Sequence, residues 1–149
     1  MDTDIFLARR RQGEAAEKAG DTDQAITLYS EANALYKGDF LDDDPYLPWA
    51  SGKREFLRQC HIAAFLRTAE LNEAKGRLKK AIACHYLIIQ ADPVHEESYR
   101  KLMQLYARCG MGSAALKVYE NCRKALREDL DTEPGEITTA IYRKLLKSA

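Results

Sequence analysis

Three stretches of this chain align without gaps around a glycine followed five residues later by an alanine: Gly20 and Ala25, Gly76 and Ala81, Gly110 and Ala115. Four residues beyond each alanine stands a large ring, Tyr29, His85 and Tyr119. Side chains four apart lie on one face of an α-helix, one turn from each other. Each copy therefore sets a small residue beside a large one, the arrangement by which two helices interlock. A unit of this size cannot enclose a core alone, so such copies stack and bury their apolar faces on their neighbours. Ala81 and Ala115 are 34 residues apart, whereas Ala25 and Ala81 are 56 apart, which leaves an insertion of 22 residues around residues 36–49.

A period of 34 is that of the tetratricopeptide repeat, a pair of antiparallel helices, and further positions agree with it. Gly13 and Ala32 fill small positions in the first unit, Ala69 and Pro93 flank Ala81 by twelve residues in the second, and Tyr99, Leu102 and Tyr106 take the large apolar positions of the third. Asp21 suits a helix N-cap, Asp92-Pro93 a stop, and Gly20, Gly76 and Gly110 left-handed helix ends. The pattern predicts helices near residues 4–19, 22–36, 49–75, 78–91, 95–109, 112–129 and 135–147. The expected fold is all-α, a tetratricopeptide-like right-handed array of antiparallel helix hairpins, about seven helices, ending in a C-terminal capping helix.

The segments between and after the repeats carry a more specific likeness. They are Leu35-Tyr36-Lys37-Gly38-Asp39-Phe40-Leu41, Trp49 with Lys53-Arg54-Glu55-Phe56-Leu57-Arg58, and Ala91-Asp92-Pro93-Val94-His95-Glu96-Glu97-Ser98-Tyr99-Arg100-Lys101-Leu102-Met103. Gly110 with Ala114-Ala115-Leu116-Lys117-Val118-Tyr119, and Leu126-Arg127-Glu128-Asp129-Leu130-Asp131-Thr132-Glu133-Pro134, complete the set. In this order and over nearly the whole chain they resemble the bacterial transcriptional activator domain of SARP-type antibiotic-pathway activators and related regulators. Two positions depart from that pattern: Asp131 stands where the family often has glycine, and Gly135 replaces the more usual polar cap. The resemblance implies a single domain over residues 1–149, a piece of a larger bacterial regulator with a DNA-binding domain upstream, or else a stand-alone relative.

Composition narrows the chemistry. Twenty-three basic residues balance 23 acidic ones, so no net field attracts a polyanion or an anionic membrane. This argues against direct nucleic-acid binding by this chain and against membrane attachment. No apolar run approaches the roughly 20 residues of a membrane span, and a cytoplasmic location is expected. There is no Gly-rich phosphate loop, HExxH, GxSxG or EF-hand pattern, so no enzyme activity is expected. The carboxylates of Asp39 and Asp42-Asp43-Asp44 lack the alternating spacing and closing glutamate of a calcium loop. Cys60, Cys84, Cys109 and Cys122 stand singly and read as reduced core thiols. The neighbours Cys60-His61 and Cys84-His85 point about 100° apart on a helix and chelate poorly, so neither metal nor cofactor is expected. His85 sits at a packing position and reads as a core imidazole.

What remains is surface recognition. The tetratricopeptide register places Arg10, Glu14 and Glu17 of the first unit, Glu70 and Glu73 of the second, and Arg100, Gln104 and Arg108 of the third on a concave groove of mixed sign. Such a groove suits a peptide or helix held by salt bridges, although solvated side chains fit the same pattern. Glu14 and Arg67 occupy positions where the carboxylate clamp of co-chaperone repeats needs asparagine. Trp49 serves either as a partner anchor or to pack the insertion onto the helices. The family resemblance implies a regulatory domain whose partners are proteins: the regulator's other domains, a second copy in a homodimer, or the transcription machinery. A stand-alone peptide-binding adaptor and a small-molecule sensor are the alternatives.

Overall fold

The computed structural model describes residues 2–36 and 48–148. Seven helices run through them: α1 (Asp2–Lys18), α2 (Thr22–Leu35), α3 (Pro48–Ala74), α4 (Leu78–Ala91), α5 (Glu96–Arg108), α6 (Gly112–Leu130) and α7 (Glu136–Ser148). Each lies within a few residues of its expected span. Most of the insertion lies outside the described residues, as does the side chain of Trp49.

The helix ends follow from glycine and aspartate chemistry. Gly20 and Gly110 take φ of 83° and 74°, a left-handed conformation that costs a residue without Cβ nothing. Past Gly20, Asp21 N–H bonds the Ala16 carbonyl at 2.9 Å, and past Gly110, Met111 N–H bonds that of Tyr106 at 2.8 Å. These bonds satisfy carbonyls the helix end would otherwise orphan. Asp21 then caps α2, its side chain accepting from Gln24 N–H at 3.2 Å.

The chain divides into two compact units, residues 1–75 and 76–149. In the first, α1 packs on α2 and α2 on α3. Phe6, Ala32, Leu57 and Cys60 form one buried cluster, and Ala25, Tyr29 and Ala64 another. The pairing of Ala25 with Tyr29 thus works as the repeat requires. Gly13 belongs to the same contact: a Cβ built there would lie 2.8 Å from two ring carbons of Tyr29. That ring is buried, and its hydroxyl donates to Glu17 at 3.0 Å, which holds it against Gly13. Gly13→Ala gains about 1 kcal/mol of helix propensity but overpacks the hairpin by about 1–3 kcal/mol. The expected result is a net loss of about 1 kcal/mol, read from urea unfolding, which turns into a gain in a Tyr29→Leu background.

In the second unit α5 packs on α4 and α6, and α7 lies against both α5 and α6. Tyr99, Leu102, Met103, Val118, Tyr119, Cys122 and Leu126 form its core, with Ile141, Tyr142 and Leu145 of α7 against them. The rings of Tyr119 and Tyr142 stack at 3.8 Å. Cys60, Cys84 and Cys122 are buried, and burial pushes the thiols of Cys84 and Cys122 up to about 11 and about 12. Cys109 departs from the expectation: it is exposed, because it is the C-cap of α5, beyond the helix's packed face.

Both departures at the α6–α7 turn have physical consequences. Asp131 caps α6 in the left-handed region, with φ 52° and ψ 42°. Glycine holds that conformation without strain, and aspartate does so at a cost, with its charge at the negative end of the helix dipole. Asp131→Gly is expected to raise stability by about 0.5–1 kcal/mol. Asp131→Asn, which removes only the charge, should recover less than half, and paired thermal melts check both.

Candidate functional site

A cleft of about 250 Å³ opens in the first unit where α1, α2 and α3 meet. Arg10, Glu14, Glu17 and Lys18 of α1 form one wall, Arg67 of α3 the other, and Ala63 and Ala64 line it between them. Their spacing explains the wall: Arg10, Glu14 and Lys18 recur every fourth residue and so share one face of the helix. The small alanines leave the space that larger side chains would fill.

The electrostatics centre on Glu17. Arg67 pairs with its carboxylate through two guanidinium nitrogens, and Tyr29 donates its hydroxyl to the same group. The Arg67 hydrogen bond holds the Glu17 carboxyl below the usual carboxylate range, against a smaller opposing effect of burial. Burial, and then the bond to Glu17, drive the Tyr29 hydroxyl well above its ordinary value. Arg67 also pairs with Glu70. Arg10 lies 3.4 Å from Glu14, an ordinary surface pair, and Lys18 forms no ion pair among the described residues. The cleft thus has one fixed charge pair and two cations placed to meet an incoming group.

Of the expected groove residues, Arg10, Glu14 and Glu17 line this cleft, and Glu70 joins it through Arg67. Glu73 lies one turn further along α3. Arg100, Gln104 and Arg108 share a face of α5 in the other unit. Arg100 is engaged there, donating to the Thr138 hydroxyl at 3.2 Å and lying 3.7 Å from Glu96. Trp49 falls outside the described side chains. Lys18, Tyr29, Ala63, Ala64 and Arg67 line the cleft without belonging to the expected groove set. The four-residue spacing from Glu14 was the available signal for Lys18, whereas Tyr29 read only as core.

The neutral total hides an asymmetry between the units. Residues 1–75 carry ten Lys and Arg against fourteen Asp and Glu, and residues 76–149 carry thirteen against nine. Among the described residues no group of three His, Cys, Asp or Glu side chains is placed to hold a metal ion, and no helix is long and apolar enough to cross a membrane.

Comparison with known proteins agrees with this architecture. The family model described as bacterial transcriptional activator domain matches residues 1–146. Regulatory protein AfsR of Streptomyces griseus is 28% identical over 97% of this chain and 15% of its own length. Transcriptional regulatory protein MoaR1 of Mycobacterium tuberculosis is 26% identical over 98% of this chain and 47% of its own. The chain therefore spans less than half the length of the curated relatives it matches. Among solved structures, EmbR of M. tuberculosis, in complex with a low affinity phosphopeptide, superposes with a TM-score of 0.78 at 26% identity, over 99% of this chain and 39% of that one. The TPR2B domain of yeast Sti1 superposes with a TM-score of 0.64 at 14% identity, over 97% of this chain and 98% of that one, and establishes the tetratricopeptide-like fold.

Proposed function

Because this chain belongs to the bacterial transcriptional activator domain family, we infer that it is the non-enzymatic, protein-contacting part of a larger transcription regulator with a DNA-binding domain. It contacts the regulator's other domains, a second copy or the transcription machinery, and it does so through the cleft of the first unit. The observation that carries this reading is the convergence of Arg10, Lys18 and the Glu17–Arg67 pair beside the Ala63 and Ala64 floor. Such a site orients a charged segment by complementary pairs. It contains no activated nucleophile, because each perturbed group in it is locked in a static pair.

The test is a photo-cross-linking amino acid in place of Lys18, in the full-length regulator bound to its promoter with RNA polymerase present. Cross-links to protein, from another domain, another copy or polymerase, are the expected result. Cross-links to DNA alone, or none, would overturn the reading.

A further inference from the structure

The second unit has a cleft of its own, about 230 Å³, on the solvent side of α6, lined by Glu120, Arg123, Lys124 and Arg127. Residues 123 and 127 are one helical turn apart, so their guanidinium groups project side by side. Between them lies the carboxylate of Glu133, brought back by the α6–α7 turn: it is 3.5 Å from Arg123 Nε and paired with Arg127 Nη2. The Arg127 hydrogen bond holds the Glu133 carboxyl below the usual range. Lys124 forms no ion pair among the described residues, and Arg123 reaches Glu120 only at 3.8 Å. The surrounding unit has four more cations than anions.

We propose that this face of α6 docks an acidic peptide segment of a protein partner, whose carboxylates are received by Arg123, Lys124 and Arg127 and compete there with the chain's own Glu133. The two guanidiniums already hold a carboxylate, and planar forks of this kind match carboxylates in pairs. The site exceeds what Glu133 and Glu120 fill, since two carboxylates face three cations and neither pairs with Lys124. A nucleic-acid backbone fits it less well: Glu120 and Glu133 repel a dense run of phosphates more than the few carboxylates of a short acidic segment, which displaces Glu133 and meets Lys124 as well. A partner bound here also takes Glu133 from Arg127, releasing the turn that leads into α7. This surface lies on a different unit from the cleft above and does not depend on it.

The experiment is fluorescence anisotropy of the chain with a labelled glutamate-rich peptide, and separately with labelled duplex DNA, at low and at physiological salt. Glu133→Gln removes the competitor and should tighten peptide binding about threefold or more, while Arg123→Gln with Arg127→Gln should weaken it about tenfold or more. Arg143→Gln with Lys147→Gln on α7 removes the same charge elsewhere in the unit and should leave binding within about twofold. Equal melting temperatures show that all variants fold. Unchanged or weaker binding by Glu133→Gln, an equal loss from the α7 pair, or tighter binding of DNA than of peptide at the same salt would each overturn the proposal.

Discussion

Replacing Glu96 with alanine is expected to destabilise the chain by about 2–4 kcal/mol and to release α7. Gly135 has no side chain with which to cap α7, and the structure supplies the cap from elsewhere: Glu96 Oε2, on α5, accepts from Gly135 N–H at 2.8 Å and from the Thr138 hydroxyl at 2.5 Å. Thr138 is fully buried, so without Glu96 its hydroxyl keeps only the contact with Arg100. Loss of a helix cap costs about 1 kcal/mol, and leaving a buried polar group short of its charged partner costs about 1–3 kcal/mol more. Glu97→Ala, at the exposed neighbouring position, should change stability by less than about 0.5 kcal/mol. Chemical unfolding gives both values, and faster amide exchange confined to α7 identifies the element that detaches.

Acidification is expected to weaken the fold between about pH 6.5 and pH 4. His61 and His85 are buried, and burial lowers both to about 4 from an ordinary value of 6.5. His61 donates from Nδ1 to Asn33 Oδ1 at 3.0 Å and is stacked on Tyr36 at 3.9 Å, so a second proton would be carried among aromatic rings. His85 shares the Ser98 hydroxyl with His95, at 3.2 and 3.0 Å, and Lys101 adds to the cost of charging it. Because the folded values lie below the unfolded one, the unfolded chain binds more protons throughout this window. The histidines' contribution is therefore complete above pH 6.5 and lost as pH falls toward 4. Together they should remove about 3 kcal/mol between pH 7 and pH 5. Urea unfolding against pH checks this, and a His61→Gln/His85→Gln chain should show a much flatter slope over the same range. Glu17, lowered by Arg67, acts in the same direction but only at more acidic pH.

Much of the fold was legible because its signals are local. Gly20 and Gly110 mark left-handed helix ends that only neighbouring backbone atoms complete, and Ala25 with Tyr29 spells out a packing contact within two turns of one helix. What escaped was carried by distance. Glu96 caps a helix that begins 40 residues later, and its sequence context, an acidic first turn of α5, already has a sufficient local explanation. Gly135 looked like a missing cap for the same reason. In the cleft, Glu17 and Arg67 are 50 residues apart, so the register could place each on a face without showing that they neutralise one another. Arg100 had the right register for a groove, and the structure also gives it work between Glu96 and Thr138. The division of charge between the two units was countable from the sequence, but only once a boundary near residue 75 told where to divide it.

On the proposed function, the chain passes regulation to other proteins through the first unit's cleft and takes no part in holding DNA. The most direct test compares promoter occupancy, by footprinting, with transcript output for the full-length regulator carrying Arg10→Glu and Lys18→Glu. Occupancy equal to the unaltered regulator with transcription reduced at least about tenfold is the predicted result. Loss of occupancy, or unchanged transcription from a folded variant, would contradict it.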